Sequence, residues 1–185
     1  LDGDLGSKLT AEMEKKGVHP LIWADYGYVQ FCNNSRQLKE PEGFQGLQLR
    51  GYGQIPAETI KALSASPVTM SSGEVYMAMQ RGTIDGQTSG TTAMYQRKIY
   101  EVGKYLTMTN HAFCEFVLAM NNTAWEQLTE EQKQLLEECA EETREEIHQQ
   151  TKEEDLKAMK LLQEHGMNVY TIPPEDIPLW QEATM

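Results

Sequence analysis

The stretch GLQLRGYGQIPAETIKALSASPVTMSSGEVYMAMQRGTID, residues 46–85, decides the fold prediction. Residues 47–50 have the apolar pattern of a short strand, and residues 57–63 have the pattern of a helix. A second short strand over 68–70 leads into a capping box at 71–74, which marks the start of another helix. Strand, helix, strand and helix in this order predict an α/β sheet protein.

The same patterns extend outward on both sides of this stretch. They predict helices over 5–16 and 91–101, and strands over 18–32, 83–85, 105–109, 113–120 and 167–172. Two interruptions are expected, one in the first strand near Asp25 and Gly27 and one at the polar pair Asn110 and His111.

The longest predicted element is a helix that begins at a second capping box, Thr129 with Gln132, and ends at Gly166. Its apolar residues are dense at both ends and sparse in the middle, so the heptad repeat of a coiled coil is not maintained. Two readings stay open at this point. The helix packs on two separate bodies, or it breaks near residues 149–151.

Composition and charge exclude several function classes. The 185 residues include 28 acidic and 16 basic side chains, for a formal net charge of −12. This charge argues against nucleic acid and against an anionic membrane surface as partners. No apolar run reaches the length of a membrane span. The three cysteines, an odd number without metal-ligand spacing, support neither a disulfide framework nor a zinc site.

The sequence contains few candidates for catalysis. None of the common hydrolase, metalloprotease, phosphate-loop or dinucleotide-loop motifs occurs. Asp85 followed by glycine is first a turn signal. Among the four histidines, only His111 falls near a predicted site, and a structural hydrogen bond is the alternative reading for it. We therefore expect no catalytic residues, no cofactor and no metal ion.

Arg50 is the strongest candidate for binding. It ends a predicted strand, and its neighbours from Gly46 to Ile55 are otherwise uncharged. In open α/β sheets, ligands bind outside the carboxyl ends of strands, and a guanidinium matches a carboxylate with two parallel hydrogen bonds. The alternative is an internal salt bridge, which composition alone favours.

Four motifs occur in order and at close spacing: GLQLR at 46–50, ASPVTM at 65–70, EVYMAMQRGTIDGQ at 74–87 and YEVGKYLTMTNH at 100–111. Together they resemble the substrate-binding proteins of TRAP (tripartite ATP-independent periplasmic) transporters, the DctP-like family. The resemblance covers most of the chain, which looks like a partial copy that lacks the N-terminal part of the family.

The resemblance implies a two-lobed, periplasmic binding protein-like α/β fold with a long helix that spans both lobes. Residues 1–27 and 117–155 would belong to the first lobe, which would be incomplete in this chain. Residues 28–116 and 156–185 would form the second lobe.

The resemblance also assigns site residues. Arg50 stands at the position of the arginine that contacts the ligand carboxylate. Ser89 stands where an asparagine is common, which argues against a sialic acid ligand. Gln30 replaces a second arginine found in many members, which suggests a monocarboxylate or a ligand whose distal end meets neutral groups. Ser72 is smaller than the side chain that is common at its position, which leaves room for a bulkier ligand.

Tyr52, Thr88 and His111 complete the expected substrate-binding set. The implied function is that of a periplasmic solute-binding protein, not an enzyme. It would capture a small organic acid in a cleft between the lobes and deliver it to TRAP membrane subunits, without inserting into the membrane. Two alternatives stay open: an α/β enzyme that acts on a small carboxylic acid, and an interaction module built on the long acidic helix.

Overall fold

The computed structural model describes residues 3–184 and confirms the α/β class. The elements in chain order are α1 (Asp4–Glu14), β1 (Val18–Asn33), β2 (Gln48–Gly51), α2 (Gln54–Ala62), β3 (Ser66–Thr69), α3 (Val75–Gln80), β4 (Gly86–Gly90), α4 (Thr91–Gln96), β5 (Tyr105–Asn121), α5 (Asn122–Glu126), α6 (Glu130–Glu164), β6 (Asn168–Thr171) and α7 (Ile177–Thr184). Short 3₁₀ helices lie at Pro41–Phe44, Ile99–Glu101 and Pro174–Asp176.

The strands form one mixed sheet in the order β3-β2-β4-β1-β5-β6. β2 runs parallel to both β3 and β4, and β5 runs parallel to β6. β1 runs antiparallel to β4. β2 therefore has a hydrogen-bonded neighbour on each side, which places Arg50 inside the sheet rather than at its edge.

Three predicted strand boundaries are wrong. β1 and β5 are each continuous through their expected interruptions, although Gly27 and Asn110 there have positive φ angles of 98° and 45°, a local departure from extended backbone. β4 begins at Gly86, so it follows residues 83–85 instead of including them. Pairing with neighbouring strands outweighs the local turn signals at these positions.

Gly86 is required by the close approach of β1 to β4. A Cβ atom at this position would overlap the backbone carbonyl oxygen of Cys32 and lie 2.8 Å from the Cα of Asn33. Only glycine allows the two strands to pair here at the start of β4.

The two faces of the sheet pack against different cores. On one face, Phe31 and Leu49 join residues of α2 and α7, including Ile60 and Trp180. On the other face, Cys32 joins residues of α3, α4 and α6, namely Val75, Met79, Met94 and Leu162, together with Ile84, Ile99, Leu106 and Met167. Neighbouring residues of one strand therefore enter different cores, as the alternation of strand side chains requires.

The helix α6 is continuous over 35 residues, so the alternative of a break near residues 149–151 is absent. The predicted capping box at its start is confirmed. The Gln132 backbone N–H donates to Thr129 Oγ1 at 3.2 Å, and the Thr129 backbone N–H donates to Gln132 Oε1 at 2.9 Å. Gly166, with a φ of 91°, ends the helix. Among residues 3–184, no helix combines the length and the apolar character needed to cross a bilayer.

The chain separates into two compact units, Leu1–Gly27 with Cys114–Glu153 and Tyr28–Phe113 with Glu154–Met185. β1, β5 and α6 each contribute residues to both units. The lobe boundaries expected for the complete protein stay a prediction, and residues 1, 2 and 185 of those lobes lie outside the described part.

Each unit holds its own segment of α6. In the first unit, Ala140 packs against Ile22 and Ala24 of β1, and Asp25 Oδ2 lies 2.8 Å from His148 Nδ1. In the second unit, Leu162 is fully buried in the core.

One carboxylate fastens α6 to α4 within the second unit. Asp155 Oδ1 accepts hydrogen bonds from the hydroxyls of Thr91 at 3.0 Å and Thr92 at 2.8 Å. Those two threonines begin α4, directly after β4, so this segment of α6 is tied to the end of that strand.

Candidate functional site

Arg50 is buried in β2, the strand between the edge strand β3 and β4, with 7% of its surface exposed. It lies in β2, in register with Val68 of β3 and Gln87 of β4. Its Nε donates a hydrogen bond of 3.1 Å to the carbonyl oxygen of Met70, which fixes the plane of the guanidinium. The ring of Tyr52, which is 41% exposed, lies 5.7 Å from the Arg50 Cζ. A cation held over an aromatic face in this way is further oriented.

The register of β4 divides the predicted site residues between the two faces of the sheet. Gln87 pairs with Arg50 on one side and with Cys32 on the other, and Ser89 pairs with Gln30. Paired residues on neighbouring strands point to the same face, so Arg50, Gln30 and Ser89 share a face with Gln87. All four side chains are buried.

Gln30 is held by reciprocal hydrogen bonds within the second unit. Its Nε2 donates to Asn110 Oδ1 at 2.6 Å, and its Oε1 accepts from the Asn110 backbone N–H at 2.9 Å. A further, longer contact of 3.5 Å joins Nε2 to the Tyr28 carbonyl oxygen. The pair connects β1 to the position in β5 where φ is positive, so Gln30 fixes the local shape of β5.

Thr88 and His111 lie on the opposite face of the sheet from Arg50. Thr88 pairs with Phe31, and the ring of Phe31 stacks on His111 at a centroid distance of 4.4 Å. The His111 Nε2 lies 3.2 Å from Thr88 Oγ1, and its Nδ1 lies 2.6 Å from Thr109 Oγ1. Burial lowers the pKa of His111 to about 4, so the imidazole is neutral at neutral pH.

A cavity of about 190 Å³ opens on this second face. Its walls include Phe31, Ile172 and Trp180 together with His111 and Asn110. His111 is the only member of the predicted binding set that lines it. The cavity and Arg50 therefore belong to different faces of the sheet.

Ser72 lies half-buried in the turn between β3 and α3. The neighbouring Glu74 carboxylate accepts hydrogen bonds from the Ser71 backbone N–H at 2.9 Å and from its hydroxyl at 2.7 Å, and these bonds lower the pKa of Glu74. Ser72 follows Met70, the residue that holds the Arg50 side chain, by two positions. The turn therefore connects Ser72 to Arg50 through the backbone.

The carboxylate of Asp85 has a structural partner. Its Oδ2 accepts a hydrogen bond of 2.7 Å from the backbone N–H of Gln48, at the start of β2. Burial raises the pKa of the Cys32 thiol to about 12, so this sulfur is not a thiolate at neutral pH. Within residues 3–184, no group of three or more His, Cys, Asp or Glu side chains is arranged to hold a metal ion.

Gln87 is the member of this site that the sequence reasoning did not single out. It lies between Arg50 and Ser89 once the strands are paired, with 2% of its surface exposed. The available signal was the period of two along residues 87–89, which puts Gln87 and Ser89 on one face. The start of β4 had to be placed correctly before that signal could be used.

Comparisons with known proteins agree with the predicted resemblance. The chain is 29% identical over 183 residues to the C4-dicarboxylate-binding periplasmic protein DctP of Rhodobacter capsulatus, covering 98% of this chain and 55% of the relative. It is 28% identical over 172 residues to the 2,3-diketo-L-gulonate-binding periplasmic protein YiaO of Escherichia coli K12, covering 92% and 52%.

A crystal structure of a TRAP periplasmic solute-binding protein from Sulfurospirillum deleyianum, with bound succinate, superposes with a TM-score of 0.94. It is 26% identical and covers 100% of this chain and 61% of that chain. The chain thus spans about half the length of these two curated relatives. The model of bacterial extracellular solute-binding protein, family 7, matches residues 1–185, and the chain belongs to this family.

Proposed function

We propose that this chain is part of an extracytoplasmic solute-binding protein that binds a small organic acid through its carboxylate. The observation that carries the proposal is the placement of Arg50, a buried guanidinium oriented by Met70 and stacked near Tyr52. Arginine stays charged at any physiological pH and presents a planar fork of donors to a carboxylate. Burial strengthens that interaction, because less water competes for the charges.

The cargo of relatives supports an acid. The names of the two curated relatives specify a C4-dicarboxylate and 2,3-diketo-L-gulonate, and the Sulfurospirillum protein holds succinate. These molecules differ in length and in oxygen content but share a carboxylate. A binding site built on one guanidinium fits the shared group, and the surrounding side chains then select among acids.

The proposal includes delivery of the acid to membrane subunits of a TRAP transporter, without covalent chemistry. Ligand binding drives such a protein between conformations only through its different affinity for each of them. The site face around Arg50 carries amide and hydroxyl side chains, which bind a solute and do not form a nucleophile with an adjacent base.

A thermal-shift screen of the full-length protein tests the proposal. The panel contains dicarboxylates, uronates, aldonates, hydroxy acids and keto acids. An acid at a hundredfold excess over its Kd stabilises the protein by about 2.7 kcal/mol. Arg50→Ala is expected to lose at least a hundredfold in affinity for that acid, because the charge-assisted bonds disappear. Arg81→Ala, at an exposed position, is the matched control.

Two results would contradict the proposal. Wild-type affinity of the Arg50→Ala protein for the acid would show that Arg50 does not bind the carboxylate. Turnover of the bound acid by the purified protein would favour the enzyme alternative. Delivery needs its own assay, which is uptake of the same acid by cells that carry the membrane subunits together with either the wild-type or the Arg50→Ala protein.

A further inference from the structure

Two glutamines lie on the Arg50 face of the sheet, and their side-chain amides differ in hydrogen bonding. Both the Nε2 and the Oε1 of Gln30 form hydrogen bonds with Asn110. The Gln87 side chain forms no hydrogen bond with any residue in the described range 3–184, although 98% of its surface is buried. A buried side chain with an unused amide is unusual, because polar groups inside proteins nearly always find partners.

The Gln87 amide keeps a small accessible surface although the residue as a whole is 2% exposed. It is not among the four polar side chains that are fully sealed without a partner in the described part of the chain. Its backbone is paired on both sides, with Arg50 on β2 and Cys32 on β1, and the side chain is 98% buried. The amide is therefore a fixed group with an open tip, and a fixed group loses little entropy when it binds a ligand.

The distance between strands sets what this amide can reach. Gln87 is the cross-strand neighbour of Arg50 in the register of β2 and β4, and such paired residues have backbones about 4.8 Å apart with side chains on the same face. An acid whose carboxylate binds Arg50 therefore has the Gln87 amide as a polar neighbour on the same face of the sheet. A carboxamide both donates and accepts hydrogen bonds, so it can pair with a hydroxyl or a keto oxygen on the carbon next to the carboxylate.

We infer that Gln87 is a specificity-determining residue that binds an oxygen on the carbon next to the ligand carboxylate. This inference rests on the proposed function, because it requires the carboxylate to sit on Arg50. The site then selects 2-hydroxy and 2-keto acids over acids with an unsubstituted carbon at that position. Loss of one neutral hydrogen bond predicts about a tenfold difference in affinity within each matched pair.

Titration calorimetry of the full-length protein with matched acids tests the inference. The pairs are lactate with propionate, malate with succinate, and gluconate with 2-deoxygluconate. The wild-type protein is expected to bind the oxygenated member of its preferred pair about tenfold more tightly. Gln87→Met keeps a similar volume without the amide, and it should bind both members equally while still binding the deoxy acid. Gln48→Met, on an exposed position of β2, should keep the preference.

Each remaining outcome has a distinct meaning. A wild-type protein that binds acids without preference, or a Gln87→Met protein that keeps the preference, overturns the inference and leaves the proposed function in place. A wild-type protein that binds none of the acids in this set or in the screen overturns both. If Gln87→Met does not fold, Gln87→Asn retains the amide one methylene further back, and an unchanged preference in that variant would also contradict the role.

Discussion

The five residues of β4 point alternately to two faces of the sheet, and the side chains that surround them differ between the two faces. On one face, Gln87 and Ser89 lie beside Arg50 and Gln30. On the other face, Thr88 lies among packed rings and is hydrogen-bonded to His111. Consecutive residues of one short strand therefore have different surroundings. The difference teaches that residues adjacent in sequence can lie in different environments, because the side of the sheet decides which neighbours a side chain meets.

The contacts of the second face favour a positioning role for Thr88 and His111. Both ring nitrogens of His111 are within hydrogen-bonding distance of threonine hydroxyls, and Phe31 covers the ring. Direct ligand contact by these residues stays a prediction. If the comparison of the two faces is correct, substitutions on the second face change stability, and substitutions on the Arg50 face change affinity.

Phe31→Ala should have the largest effect on stability. Phe31 is 2% exposed and contacts both Phe44 and His111, so its truncation leaves a cavity in the core. The free energy of unfolding should fall by about 3–5 kcal/mol in urea denaturation followed by circular dichroism. Affinity for the acid should change by less than about threefold at temperatures where the variant is folded.

Tyr28→Ala on the same strand is the control for Phe31→Ala. Tyr28 is 48% exposed, and its removal should cost less than about 1 kcal/mol. Loss of acid binding by folded Phe31→Ala would contradict the assignment of stability to the second face and affinity to the Arg50 face.

The pH dependence of stability should report on His111. Its pKa is about 4 in the folded protein and ~6.5 in the unfolded chain. Between pH 6.5 and 4 only the unfolded chain takes up this proton, so stability is present above pH 6.5 and is lost as the pH falls toward 4. The loss amounts to at most about 3 kcal/mol for the buried ring. His111→Gln should flatten this window, as measured by urea denaturation at pH 7, 6 and 5.

Gln48→Met is the control for the pH experiment, because Gln48 is exposed and neither side chain is ionisable. It should leave the pH dependence close to that of the wild-type protein. An unchanged slope in His111→Gln would show that other groups, such as carboxylates, account for the acid sensitivity.

Tyr52→Leu should have the smallest effect, on the Arg50 face. The ring lies 5.7 Å from the Arg50 guanidinium, and a partly exposed cation–π contact contributes ~0.5–1 kcal/mol. Affinity for the acid should fall roughly two- to fivefold in titration calorimetry, with little change in melting temperature. Tyr52→Phe should retain wild-type affinity, and a large loss in that variant would instead assign a ligand contact to the hydroxyl.

Local signals predicted much of the secondary structure. The capping box at Thr129 and Gln132 predicted the start of α6, and Gly166 predicted its end, because both depend on backbone groups within a few residues. The start of β4 was predicted too early, since Asp85 and Gly86 form a turn signal by themselves. Gly86 enters the strand only because β1 approaches it closely.

The sequence by itself determined the α/β class and the family resemblance, and it singled out Arg50 as the candidate contact for a carboxylate. These follow from local periodicity and from motifs whose residues are close in the chain. Only the tertiary structure decided that Gln30 is held by Asn110, 80 residues away, and that Gln87 stands beside Arg50. The physical reason is strand register, because a shift of one residue moves every side chain to the opposite face, and register is set by pairing between distant segments.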